Sequence, residues 1–132
     1  MPITALYAGL LVPLFIWLSF RVIGVRRSQR VPVGDGGDKS LARRMRVHAN
    51  FAEYVPMGLL LIGIAESLRT DFRVLHALGI ILVAGRLMHA FGMSQTPDNL
   101  TFRAGGVMAT FAALVGGALA CLVGSYARGF GL

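Results

Sequence analysis

The sequence predicts an all-α integral membrane protein, a bundle of four spanning helices. Three observations carry that reading. Hydrophobic residues make up 55% of the chain and charged ones only 14%, where a soluble domain averages about a quarter charged. Four apolar runs each approach or exceed the ~20 residues that cross a hydrocarbon core. The charge is gathered: eight of the 13 Lys and Arg (Arg21, Arg26, Arg27, Arg30, Lys39, Arg43, Arg44 and Arg46) precede residue 47, while Ala104 to Ala127 carries none. The length of 132 residues fits a single transmembrane domain over 1–132.

The first run extends from about Ile3 to Val25 and ends at Arg26 and Arg27. Pro2 suits a helix start, whereas Pro13 is expected to bend the span. Met1 to Phe20 has no basic region and no cleavage motif, which favours a retained first span over a removed signal peptide. Val31 to Ser40 is glycine-rich and polar, and reads as a loop in which Asp38 or Ser40 caps helix two. Asp35 and Asp38 fall short of the ligand set of a calcium loop, so no metal site is expected. The second run covers about Leu41 to Leu68, the third Phe72 to Met93 and the fourth Phe102 to Tyr126. Short connections at 69–71 and 94–99 make sequential helices antiparallel neighbours.

A net charge of +7 and a pI near 11.1 admit nucleic acid as a partner, but the basic run lacks interleaved aromatics and no recognised module is present. A basic cluster beside a span is what orients a membrane protein and attracts anionic headgroups. Placing Arg26 to Arg46 in the cytoplasm puts both termini outside. Cys121 lies among Ala, Leu and Gly and reads as a small hydrophobe, so any reactive thiol belongs to a ligand. His76, near the outer start of helix three, is expected to be inert. Ala113 with Gly117 and Ala120 with Gly124 give small residues four apart, which suits close helix packing within one subunit or between subunits.

The informative polar residues lie at the entrance of helix two. Arg43, Arg46, Asn50 and Glu53 follow i, i+3, i+7, i+10 spacing and share one helical face. Such a stripe at the edge of a hydrocarbon layer is costly and marks a binding site. Arg86 and His89 on helix three, Arg103 at the start of helix four, and Arg26 and Arg27 ending helix one give every helix a guanidinium at one end. A ring of cations with one carboxylate suits a small ligand carrying two carboxylates and an amine. Arginine holds carboxylates bidentately, Glu53 takes an ammonium or else simply pairs Arg46 or Arg86, and Asn50 donates and accepts.

At these residues the chain resembles the MAPEG family, the membrane-associated proteins of eicosanoid and glutathione metabolism. The helix-two signature is Arg46, Asn50, Glu53, Tyr54 and Pro56. Val22 to Val31 is similar to the end of helix one in that family, and Arg86 with His89 to a helix-three arginine and histidine. The resemblance implies a homotrimer in a membrane, with glutathione as cosubstrate between neighbouring subunits, while the short termini and the Gly- and Arg-rich composition suggest a bacterial inner membrane. It implies that Arg46, Asn50, Glu53, Tyr54, Arg86 and His89 hold glutathione, and that Arg27 or Arg103 activates the thiol. The electrophile, a hydrophobic small molecule or lipid hydroperoxide, would enter from the lipid. Two departures stand out. Met93 occupies the place of a tyrosine in eicosanoid members, and the start of helix four lacks a second arginine. They leave a non-catalytic lipid-binding or scaffold protein of the same fold as the alternative. A drug exporter fits less well, because helix one has no acidic residue and Glu53 sits beside arginines that would hold it ionised.

Overall fold

Each of the four apolar runs folds as one uninterrupted helix in a computed structural model that describes residues 1–129. The helices are α1 (Pro2–Gln29), α2 (Lys39–Ser67), α3 (Phe72–Ser94) and α4 (Leu100–Ala127), all long and apolar enough to cross a membrane. They begin and end within a few residues of the expected spans. The largest difference is α1, which continues through Arg26 and Arg27 and stops only where Arg30 turns left-handed at φ 55°. Arginine is a good helix former, so leaving the hydrocarbon does not end the helix. Pro13 and Pro56 both lie inside continuous helices.

Side-chain caps fix three of the starts. Asp38 accepts from the Leu41 amide at 2.7 Å, as expected, Asp71 from Arg73 at 2.8 Å and Asn99 from Phe102 at 3.1 Å. Each satisfies an amide that has no partner within its own helix.

The chain runs up and down, and polar contacts tie each end together. At one end the Glu66 carboxylate accepts from the Ile3 and Thr4 amides at 3.0 and 2.8 Å and from the Thr4 hydroxyl at 2.6 Å. A residue of α2 thereby caps α1, whose own leading residue provides no side-chain cap. Deeper in, the Tyr7 hydroxyl meets His76 Nδ1 at 2.9 Å and donates to the His76 carbonyl at 3.1 Å. His76, expected to be inert, joins α1 to α3. Glu66→Ala is expected to lower the unfolding free energy by about 1 kcal/mol, since half-buried donors at the start of α1 lose their acceptor. Thermal unfolding in detergent measures it.

The helix pairs are not equivalent. α1 packs on α2 and α3, and among the described residues it does not touch α4. α3 and α4 approach most closely, backbone against backbone. A Cβ on Gly106 would lie 2.5 Å from the His89 amide nitrogen, and one on Gly92 2.5 Å from that of Arg103. The small residues of α4 also seat α2: a Cβ on Gly117 would meet Leu61 at 3.0 Å and one on Gly124 Leu68 at 3.0 Å. Of the two readings open from spacing, packing within the subunit accounts for these glycines. Cys121 sits in the same seam, its thiol donating to the Leu61 carbonyl at 3.3 Å.

Candidate functional site

The stripe on α2 marks the boundary between the inside and the outside of the bundle. Arg46 and Glu53, two turns apart, form a two-pronged ion pair at 3.1 and 3.4 Å on the outer side. Their side chains are 59% and 48% exposed. Asn50 lies between them in sequence but is turned inward and buried. Of the two readings open for Glu53 from the sequence, a partner for a ligand ammonium or for an arginine of the chain, the structure shows the second, with Arg46. Tyr54 is half-buried, its ring 5.8 Å from the Arg86 guanidinium and edge-on to Phe111 at 5.5 Å.

Arg86 differs from the expected ring of cations at one depth. It lies two turns before the end of α3, roughly 12 Å along the axis, and is only 2% exposed. Its Nη1 donates to Asn50 Oδ1 at 2.6 Å and its Nη2 to the Gly106 carbonyl at 3.4 Å. The same carbonyl accepts from the Thr110 hydroxyl at 2.8 Å. One guanidinium therefore bolts α3 to both α2 and α4. His89, three residues on, is buried with its backbone against Gly106.

Nearer the helix ends a carboxylate that sequence reasoning passed over organises two arginines. Asp98, in the α3–α4 connection, pairs Arg43 of α2 at 2.5 Å and Arg103 of α4 at 3.3 Å. Arg43 also donates to the Gln95 carbonyl at 2.9 Å. The signal was available: the chain has 6 acidic residues against 13 basic ones, so an acid between helix ends is readily claimed by arginine. Beside this cluster Arg21 donates to Ser94 and lies over Trp17 at 4.8 Å.

Arg27 is exposed at the end of α1, on the one helix that does not reach α4. A single chain therefore brings Arg46, Asn50, Glu53, Tyr54, Arg86 and His89 into one region, with Arg103 at its margin. It does not bring Arg27 to Arg103. Chemically the region offers Arg46 as a donor and Glu53 as an acceptor on an open face, with the buried Asn50 amide behind them. A second apolar cleft lies between α1 and α2, lined by Leu11, Phe15, Phe51, Val55 and Leu59 among others.

Comparison with known proteins agrees with this architecture. Residues 4–123 match the MAPEG family. The chain is similar to the inner membrane protein YecN of Escherichia coli strain K12, with 38% identity over 113 residues covering 86% of this chain and 85% of the relative. The YecN of Escherichia coli O6:H1 strain CFT073 gives the same identity and coverage. With four spanning helices, the helix-two signature in place and a match along nearly its whole length, this chain belongs to the MAPEG family.

Proposed function

We propose that the protein is a glutathione-dependent membrane transferase or peroxidase acting on lipophilic electrophiles. The observation that carries the reading is the open Arg46–Glu53 pair on α2. Glu53 lies about 21 Å along a helix roughly 43 Å long, where the apolar run of α2 begins, so the pair stands at the edge of the hydrocarbon layer on the side of the basic loop. Charges facing lipid at that depth are disfavoured, and such groups face a protein interior or a cavity. The pair is therefore covered by neighbouring subunits, and a homotrimer makes the stripe one wall of a shared site. Assembly also answers why Arg27 and Arg103 are apart in one chain: α1 of one subunit would meet α4 of the next.

The site residues divide the work. Arg46 and Asn50 donate to the carboxylates and carbonyls of glutathione, and Glu53 accepts from its ammonium. Tyr54 and His89 shape the wall. Arg103 or Arg27 lies near the sulfur, where a guanidinium favours the thiolate. Glutathione supplies the nucleophilic sulfur. The thiolate forms a bond to an electrophilic carbon as a leaving group departs with its electron pair, or as a C=C or C–O bond opens and the resulting anion takes up a proton. In the peroxidase case two glutathiones are oxidised to their disulfide as a hydroperoxide is reduced to an alcohol and water. By analogy with its relatives, the protein lies in a bacterial inner membrane with the basic α1–α2 loop cytoplasmic. Calorimetry with glutathione on detergent-purified protein tests the reading, and no binding to the native protein contradicts it.

Two observations favour a second reading, a non-catalytic lipid-binding or scaffold protein. Met93 is buried in the core at the place of a tyrosine in eicosanoid members of the family, and Arg103 is already held by Asp98. Stopped-flow absorbance of the thiolate separates the two. Enzyme function is expected to give a thiolate signal on mixing with glutathione that is lost in Arg103→Ala or Arg27→Ala, and a flat trace supports the scaffold.

A further inference from the structure

Arg86 is the largest side chain sealed within the bundle, and its partners are all neutral acceptors. No carboxylate lies within ion-pair distance of it among the described residues. Its Nε has no partner. A buried cation is retained where it performs a task that an apolar residue cannot.

We infer that Arg86 is a positioning residue that fixes the Asn50 amide with its N–H donors toward the site, so that the ligand group meeting Asn50 must be an acceptor. The inference rests on the glutathione reading and specifies the polarity of that site. Arginine only donates, so the atom of Asn50 at 2.6 Å from Nη1 is the oxygen. Turning the amide over would set N–H against N–H inside the bundle, where water cannot relieve the conflict. The guanidinium cannot follow such a turn, because its other arm is held at the Gly106 carbonyl that Thr110 also engages. Asn50 Nδ2 makes no hydrogen bond among the described residues. It lies on the branch of the planar amide away from Arg86, on the residue between Arg46 and Glu53.

The unneutralised charge of Arg86 acts in the same direction. It polarises the amide so that its donors strengthen toward a negative group. A carboxylate or peptide carbonyl is accepted at this point, and an ammonium is turned away toward Glu53. Asn50 touches the ligand, whereas Arg86 acts through it.

The test uses Asn50→Asp, which keeps size and gives Arg86 a better acceptor while replacing the donor with a second acceptor. Melting temperature in detergent is expected to be equal to or above that of the native protein. Glutathione affinity by calorimetry is expected to fall about 10- to 100-fold, the range of one hydrogen bond to a charged group. Arg86→Met, which frees the amide to rotate, is expected to weaken binding, and Arg86→Lys, which keeps a donor for Oδ1, to restore much of it. Asn50→Asp binding within twofold of native, or Arg86→Met binding as native, overturns the inference while leaving the glutathione reading intact. Failure of the native protein to bind glutathione overturns both.

Discussion

Gly106→Ala is expected to disrupt the packing of α3 on α4 severely. The new Cβ would lie 2.5 Å from the His89 amide nitrogen, 2.6 Å from the Gly85 carbonyl and 2.8 Å from the His89 Cα. All three are backbone atoms of α3, so no side chain can swing away and the helices must separate. Overpacking in a well-packed interior costs roughly 1–3 kcal/mol, and here the shift also strains the carbonyl that receives Arg86 and Thr110. The sum is expected to be about 2–4 kcal/mol, adding about 1 kcal/mol for a lost hydrogen bond. Gly105→Ala is the control: its nearest contact is the flexible end of Met88, at 3.0 Å, and it should be close to neutral. Unfolding of the two variants in detergent, side by side, measures the difference. Equal stability would contradict the close α3–α4 approach.

The second large effect falls on binding rather than folding. Arg46→Ala removes an ion pair whose partners are half-exposed within one subunit, and such pairs contribute about 0–1 kcal/mol to stability. The melting temperature of the isolated chain is therefore expected to change little. Glutathione binding is expected to weaken at least tenfold, since a charge-assisted contact is worth roughly 1.5–3 kcal/mol. Glu53→Ala is expected to show the same split. Loss of folding with binding retained would make the pair a structural brace along α2.

The spans and the stripe were legible because both follow from local rules. Apolar length fixes a membrane helix, and the spacing of Arg43, Arg46, Asn50 and Glu53 fixes a face. The contents of that face were less legible, because they depend on how far each helix is rotated and slid against its neighbours. Asn50 lies in the stripe by sequence yet inside the bundle by rotation. Arg86 reads as one of several arginines near a helix end, and only the register of α3 against α2 and α4 makes it an internal bolt. Glu66 looked like an ordinary residue near a turn until the start of α1 was set beside it. Asp98 gained its role from a connection that folds back between Arg43 and Arg103. The glycines of α4 allowed two readings, and the leucines of α2 opposite them decided between the two.

These arrangements also explain why the departures from enzymatic relatives weigh on chemistry more than on assembly. The Arg86, Asn50 and Gly106 contacts need no tyrosine at position 93, so the wall stands with Met93 in the core. On the proposed glutathione reading, the position of the sulfur would depend instead on Arg103 and Arg27. Asp98 holds the first, and the second lies on a helix that α4 of the same chain does not meet.

The central claim is that the open stripe on α2 is one wall of a glutathione site shared between subunits. The mass of the intact detergent-released assembly, measured with and without glutathione, tests it most directly. The account predicts a complex of three chains that takes up glutathione to at most one per subunit and loses that uptake in Arg46→Ala. Single chains, or an assembly that binds no glutathione, would contradict it.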